Sequence, residues 1–361
     1  MYVYIHTYIQ TYRQTDRQTY VQTHSHTRMH AKYFTLCSLT LSLSLCCSLS
    51  LSVALILDGD LNQDSVISFA IQRESVPEAY VGAVFDGHGL LGERAAIAAA
   101  AHLKEICEDS SFDPVAFVES EERASVAMKD LFAKLQARVI SEHDHPPEEY
   151  TYPSSGRSLV FKLKPHNTFG QAYAYVGGPM PPAPIDFGCT AVVAVVCNSK
   201  ACVGNAGDAG CIACTSEDGI GEARVLTQRH NAREQVEIDR IDRDFADKAY
   251  ITPDGYLAPL DPDIAQYEVQ TTRCLGHRLL GSAGISSEPA VCLLPALDHV
   301  RALVLFSDGV SDELQPRDIA DRVVGAASAL EAVQTLCHDA QEFSMDREKV
   351  DDCTAVVMLF K

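Results

Sequence analysis

The chain has 361 residues, with 29 Lys and Arg against 49 Asp and Glu, and a formal net charge of −20. That balance argues against a nucleic-acid partner, which needs a basic face to meet phosphates, and it suits an acidic protein that gathers cations. Ten of the 13 cysteines lie beyond residue 57.

Most of those ten sit inside apolar runs (Cys189, Cys197, Cys202, Cys292, Cys353), where a reduced cysteine acts as a small hydrophobe. Cys211 and Cys214 form a CxxC, but no second pair or nearby His completes a zinc site. A reduced protein of the cytoplasm or nucleus is therefore expected, not a disulfide scaffold.

Residues 1 to 57 differ from the rest. They cycle through Thr-Tyr-Ile-His and Thr-Asp-Arg-Gln, then through Leu-Ser in SLTLSLSLCCSLSLSVALIL. In-frame ACAT, ACAG and CT repeats encode those three cycles, so this leader reads as translated simple-repeat DNA. Peptides from it in a digest of native protein would overturn that reading. Two alternatives remain. Phe34 to Leu57 carries no charge and is long enough for a membrane anchor, although its serines weaken it as a span. It also resembles the apolar core of a signal peptide, with an upstream arm that is too long. Residues 58 to 361 hold 25 basic and 48 acidic residues and are long enough for one large domain.

In chain order, Val81 to Phe85 reads as a buried strand and Gly92 to Cys107 as an Ala-rich helix. Pro114 to Glu142 has apolar residues at helical spacing (Val118, Ala124, Met128, Leu131, Leu135, Val139), so one long amphipathic helix is expected. His143 to Asp186 contains HDHPPEEYTYPSS and GGPMPPAP, loop compositions that read as an insertion at about 143–186. CTAVVAVVCN, KACVGNAGD, AGCIACT and EARVLT are short, β-rich and separated by turn signals, which points to an antiparallel meander. His230 to Arg243 reads as a charged helix and Ala246 to Gln266 as loop. Val300 to Phe306 is a strand, Pro316 to Val324 and Leu330 to Phe343 are helices, and Cys353 to Phe360 is a last strand. Antiparallel strands alternating with helix pairs favour an α+β sandwich over a doubly wound parallel fold.

Acids recur where strands begin or end. Asp64 precedes SVISFA, Asp86 ends VGAVFD, Asp208 follows ACVGNAG, Asp308 ends ALVLFSD, and Asp351 and Asp352 precede CTAVVMLF. A strand ending in Asp-Gly is ordinarily a turn. Carboxylates gathered at the ends of neighbouring central strands repel unless cations separate them. Oxygen-only donors select hard ions such as Mg²⁺ or Mn²⁺. Two such ions about 4 Å apart would share a water and make it a nucleophile.

The ordered motifs NQDS, VFDGHG, GCTAVVAV, VGNAGDAG, LTQRHNAREQVEIDRI, TTRCLGHRLLGSAGISSEPAV, LFSDGVSDEL and DDCTAVVMLF resemble the metal-dependent protein phosphatases of the 2C type (PPM family). The resemblance spans Asp60 to Lys361. It implies an αββα sandwich of two antiparallel sheets flanked by helices, with a metal site at one end. It also implies hydrolysis of phosphoserine and phosphothreonine in phosphoproteins by a water bridging two Mg²⁺ or Mn²⁺ ions, with a possible third ion. On the matching positions, Asp86 bridges both metals and Gly87 offers its carbonyl. Asp308 and Asp351 complete the first metal site, Asp64 holds the metals partly through water, and Asp208 serves a third, weaker ion. His88 matches the proposed general acid for the departing alkoxide; its structural alternative is a turn histidine capping the next helix. A monomer is expected.

Three departures stand out. An Arg that the family often places five residues before Asp64 is Gly59 here, so the phosphate-binding group is unknown, and Arg73 and Arg273 are candidates on charge alone. Gln63 replaces the usual acid before Asp64. The frequent Leu-Gly-Asp is Leu275-Gly276-His277, and His277 reads as a surface substitution without catalytic effect. The alternative functions are a catalytically weak phosphatase-like binding or regulatory module and, if Phe34 to Leu57 is genuine, a membrane-anchored phosphatase.

Overall fold

The computed structural model describes residues 33–40, 49–57, 62–73, 76–154, 157–217, 220–265, 267–346 and 351–360. Two antiparallel sheets dominate. One runs in the order Ala290–Leu294, Lys200–Ala206, Ala191–Cys197, Val76–Phe85, Ser65–Arg73. The other runs Tyr33–Thr40, Leu49–Leu57, Cys353–Phe360, Val300–Phe306, Gly210–Glu217, Ile220–Val225.

Side-chain alternation explains the layering. Val84, Val192, Ala194 and Val203 of the first sheet meet Leu303, Leu305, Val356 and Met358 of the second in one buried cluster. Their odd-numbered neighbours Val81, Ala83, Phe85, Val193 and Val195 point the other way, into a cluster with Leu103, Met128, Phe132 and Leu135 of two helices, Gly92–Glu108 and Glu121–Glu142. On the far side, Ala302, Val304, Ala355 and Val357 pack against Ile319, Val323, Val333 and Leu336 of the helices Pro316–Gly325 and Ala329–Asp346. The order is helix, sheet, sheet, helix. Central strands are buried on both faces, and for that reason they read as unbroken apolar runs rather than alternating ones.

Several sequence expectations change. The helix expected over Pro114 to Glu142 is a 3₁₀ turn, Pro114–Phe117, followed by the helix Glu121–Glu142. Asp113 Oδ1 accepts from Val115 N at 3.0 Å to cap the turn, and Ser120 Oγ accepts from Arg123 N to restart the chain as a helix. The charged helix occupies Gln235–Asp244 only, because His230 to Ala232 commit their backbone to tertiary bonds with Gly207 and Gln270. Residues 143–186 are not a loop. They form a four-stranded antiparallel sheet of Glu149–Ser154, Arg157–His166, Gly170–Tyr175 and Ala183–Pro184, whose Phe161 and Tyr173 enter the core. Residues 246–266 contain the hairpin Ala249–Ile251 and Leu257–Pro259, Gln266 itself lying outside the described residues.

The expected meander is two hairpins in different sheets. Lys200–Ala206 stays with Ala191–Cys197, while Gly210–Glu217 joins the other sheet. The chain crosses between sheets at Gly207, whose φ of +118° is a conformation that favours glycine. Leu49–Leu57, assigned above to the leader, is a strand paired along its length with Cys353–Phe360, and Tyr33–Thr40 pairs outside it. Among the described residues no helix is long and apolar enough to cross a membrane. Within Phe34 to Leu57 the described residues lie in these two paired strands, residues 41–48 lying outside the described residues.

Candidate active site and metal centre

Strand register gathers the acids. Ser65 pairs with Phe85, and Val84 with Val192, beside which Ala191 pairs with Ala206. In the other sheet Gly210 pairs with Phe306, which also pairs with Ala355. Asp64, Asp86, Asp208, Asp308 and Asp351 each lie within a few residues of those positions, so all five come to one end of the sandwich. There they border a cleft of about 560 Å³ lined by Asp86, Gly87, His88, Asp208, Asp308 and Asp351. Asp64 is buried beside it.

Local chemistry holds each one. Thr190 N donates to the Asp86 carbonyl at 2.8 Å, and this carries the strand past its last ladder bond. A Cβ on Gly87 would lie 2.4 Å from the Gln63 carbonyl oxygen and 2.5 Å from the Gly92 carbonyl carbon, so only glycine fits between those two backbones. Asp308 opens a one-turn helix, Asp308–Ser311, directly after the strand Val300–Phe306. Asn231 Nδ2 donates to Asp208 Oδ2 at 3.4 Å. Gln63 N donates to Asp352 Oδ2 at 2.9 Å, so the Asp352 carboxylate is turned to the backbone that leads into Asp64.

The electrostatics are those of a cation site. Burial, then Asp64, Asp308, Asp208 and Asp351, raise Asp86 well above the ordinary carboxylate range. Burial and then Asp352 do the same to Asp64, whose Oδ2 is buried without a hydrogen-bond partner. Burial, Asp208, Asp351 and Asp312 push Asp308 up to about 7. Asp208 is raised chiefly by burial, against the pull of Asn231 and Arg229. Carboxylates that raise one another this way, with one bare oxygen among them, fit hard divalent cations held by oxygen.

His88 and His277 meet at the rim of the cleft. A small sheet places Gly188 opposite both His88 and Gly276, and over that glycine the two imidazoles stack at 4.9 Å with an 18° tilt. His277 is not a surface residue. It is 4% exposed, and its Nδ1 is 3.0 Å from Asp186 Oδ2. Asp186 also accepts from Leu279 N at 2.9 Å and Leu280 N at 3.3 Å. Burial works to raise Asp186, but His277 and those bonds hold it below its ordinary value. Burial, then His277, lower His88 to about 3, so its ring is neutral at pH 7.

Sequence reasoning missed this Asp186–His277–His88 group. Its signal was the exchange of an acid for His277, together with an aspartate at the edge of the segment read as an insertion. The two phosphate-binding candidates are not in the cleft. Arg73 donates to the carbonyls of Cys107 and Phe112, and Arg273 is locked to Glu237 at 2.6 and 3.0 Å. Gly59 lies outside the described residues.

The Protein phosphatase 2C family model matches residues 50–352. The chain belongs to the protein phosphatase 2C family. It is 27% identical over 177 residues to the probable protein phosphatase 2C 44 of Oryza sativa subsp. japonica, covering 48% of this chain and 50% of that one. It is 26% identical over 189 residues to the probable protein phosphatase 2C 41 of Arabidopsis thaliana, covering 48% and 51%. The chain thus spans about half the length of the curated relatives it matches. Among solved structures, a serine-threonine phosphatase 2C from Toxoplasma gondii superposes with a TM-score of 0.61 at 15% identity, over 91% of this chain and 99% of that one. A serine/threonine phosphatase from Staphylococcus aureus gives 0.51 at 16% identity, over 90% and 98%. These likenesses establish the protein phosphatase 2C fold, the αββα sandwich described above.

Proposed function

We propose that this protein is a metal-dependent serine/threonine phosphatase acting on phosphoproteins. The observation that carries the reading is the convergence of Asp64, Asp86, Asp208, Asp308 and Asp351 at one end of the sandwich, with carboxylates that raise one another. Asp86, the Gly87 carbonyl, Asp308, Asp351 and Asp64 would hold two Mg²⁺ or Mn²⁺ ions, and Asp208 a third. Bound there, such ions neutralise phosphoryl charge and supply a nucleophile from water at neutral pH.

The chain's own groups do the rest. Gly87 lets its backbone approach because no side chain intervenes. His88 lines the cleft two residues beyond Asp86. A phosphate dianion beside the ring favours its protonated form, and the ring then delivers that proton to the leaving Ser or Thr oxygen. The ten cysteines among the described residues beyond residue 57 carry no disulfide, and burial holds several as thiols, which suits a reducing cytoplasmic or nuclear setting.

One observation favours the second reading, a catalytically weak module. Among the described residues lining the cleft there is no Lys or Arg to pair with a phosphate. The test is hydrolysis of a phosphoserine peptide by the full chain with Mn²⁺ and with EDTA. Metal-dependent turnover that falls at least about 10³-fold in Asp308→Ala supports the enzyme. Absence of turnover, or turnover indifferent to that change, sinks it in favour of the binding module.

A further inference from the structure

We infer that His88, Cys274 and His277 form a site for one borderline-soft divalent cation of the Zn²⁺ class, distinct from the carboxylate set and inhibitory when filled. The inhibitory part rests on the proposed phosphatase activity; the binding part does not.

One ligand atom from each of these three residues lies within 4.8 Å of the other two. Both imidazoles present a bare nitrogen. His277 Nδ1 is taken by Asp186, and its Nε2 is buried without a partner. The Nε2 of His88 is likewise buried without a hydrogen-bond partner among the described residues. Asp186 therefore fixes His277 as the tautomer whose Nε2 offers a lone pair, and neither Nε2 has a partner among the described residues. Cys274 is fully buried, next to the two-residue strand Leu275–Gly276.

The arrangement has the other marks of a metal site. Two nitrogens and a sulfur select zinc-class ions, whereas the neighbouring oxygen set selects Mg²⁺ or Mn²⁺. Behind His277 stands Asp186, anchored by the Leu279 and Leu280 amides, in the carboxylate–histidine relation that orients metal-bound imidazoles. Gly188 keeps the space beside His277 open, since a Cβ there would lie 3.1 Å from its Nε2 and 2.4 Å from the Leu275 carbonyl. Tetrahedral ligation at about 2.0–2.3 Å closes the three ligand atoms by about 1 Å and leaves a fourth position facing the cleft. On binding, the Cys274 sulfur gives up its proton to solvent and bonds as thiolate. Filling the site occupies the nitrogen with which His88 would deliver a proton.

The probe is Co²⁺ titrated into the EDTA-stripped full chain under saturating Mg²⁺, followed by displacement with Zn²⁺. One equivalent is expected, with a thiolate-to-cobalt charge-transfer band that Zn²⁺ erases. Cys274→Ala is expected to remove the band, and both it and His277→Asn to weaken Zn²⁺ binding at least about 100-fold; Asn tolerates the φ of +53° at that position. Cys274→Ser replaces Cys274→Ala if the alanine variant fails to fold by circular dichroism. In the assay with Mn²⁺, the Zn²⁺ concentration that halves each variant's own zinc-free rate should rise about 100-fold. A missing band in the parent chain, or an unchanged band in the Cys274 variant, overturns the site. Equal Zn²⁺ inhibition of parent and variants overturns the inhibitory half. A chain without phosphatase activity leaves the cobalt result to decide the site alone.

Discussion

Asp308 shows how a single side chain links stability to cations. Its carboxyl rises from 3.8 to about 7 on folding, through burial, Asp208, Asp351 and Asp312. Between those values the folded, metal-free protein binds a proton that the unfolded chain does not. Stability is thus present below pH 4 and is lost as pH rises through 7. The unfolding temperature of EDTA-treated protein is expected to fall between pH 5 and 7.5. Mg²⁺ or Mn²⁺ should raise it again, and more at pH 7.5 than at pH 5; a hundredfold excess over Kd adds about 2.7 kcal/mol of stability. A metal response independent of pH would contradict this. At Gly87 an added Cβ would meet backbone atoms at 2.4 and 2.5 Å, which cannot turn aside as a side chain would. Gly87→Ala is expected to cost about 1–3 kcal/mol in urea unfolding and to lower Mn²⁺-dependent turnover more than Gly281→Ala, whose added Cβ meets nothing within 4 Å.

Among the elements, the helix Gln235–Asp244 is set by one buried acid. Glu237, 1% exposed, accepts from Arg273, from Arg240 at 2.9 Å and from Thr272 Oγ1 at 2.9 Å. Burial alone would raise its carboxyl, but Arg273 and Arg240 outweigh burial and bring it to about 2. The stabilisation is present above pH 4.5 and lost as pH falls towards 2. Glu237→Gln leaves two half-buried guanidinium groups without their buried counter-charge and is expected to cost about 2–3 kcal/mol at pH 7, read from urea unfolding, with the difference shrinking at low pH. The boundary of this helix was not legible as periodicity. Residues 230–234 continue the charged pattern, yet their backbone bonds to Gly207 and Gln270. A similar override acts at Ser120, where a cap splits the apolar period of Val118 to Val139.

For the whole molecule, the outer strands bear on the sheet's integrity. Leu49–Leu57 satisfies the ladder of Cys353–Phe360, which otherwise is an edge. A chain beginning at residue 58 is expected to melt lower and to aggregate with rising concentration, measured by differential scanning calorimetry and light scattering beside the full chain. Equal melting and solubility would show that the edge needs no cover. The Leu-Ser alternation that reads as repeat DNA is also the period-two pattern of a strand, and only its partner, some 300 residues away, decides between them. The sequence by itself determined the apolar runs Val81–Phe85, Val300–Phe306 and Cys353–Phe360 as central strands, the helices Gly92–Glu108, Pro316–Gly325 and Ala329–Asp346 to within a residue or a few at their ends, and the aspartates that flank those strands, because burial on both faces and local polarity are written residue by residue. Only the tertiary structure decided that Lys200–Ala206 and Gly210–Glu217 part into different sheets, that 143–186 is itself a sheet, and that His277 leaves the surface to stack on His88. Those outcomes depend on which distant strand completes a backbone ladder, and on Gly188 leaving room for two imidazoles to meet, neither of which has a local signature.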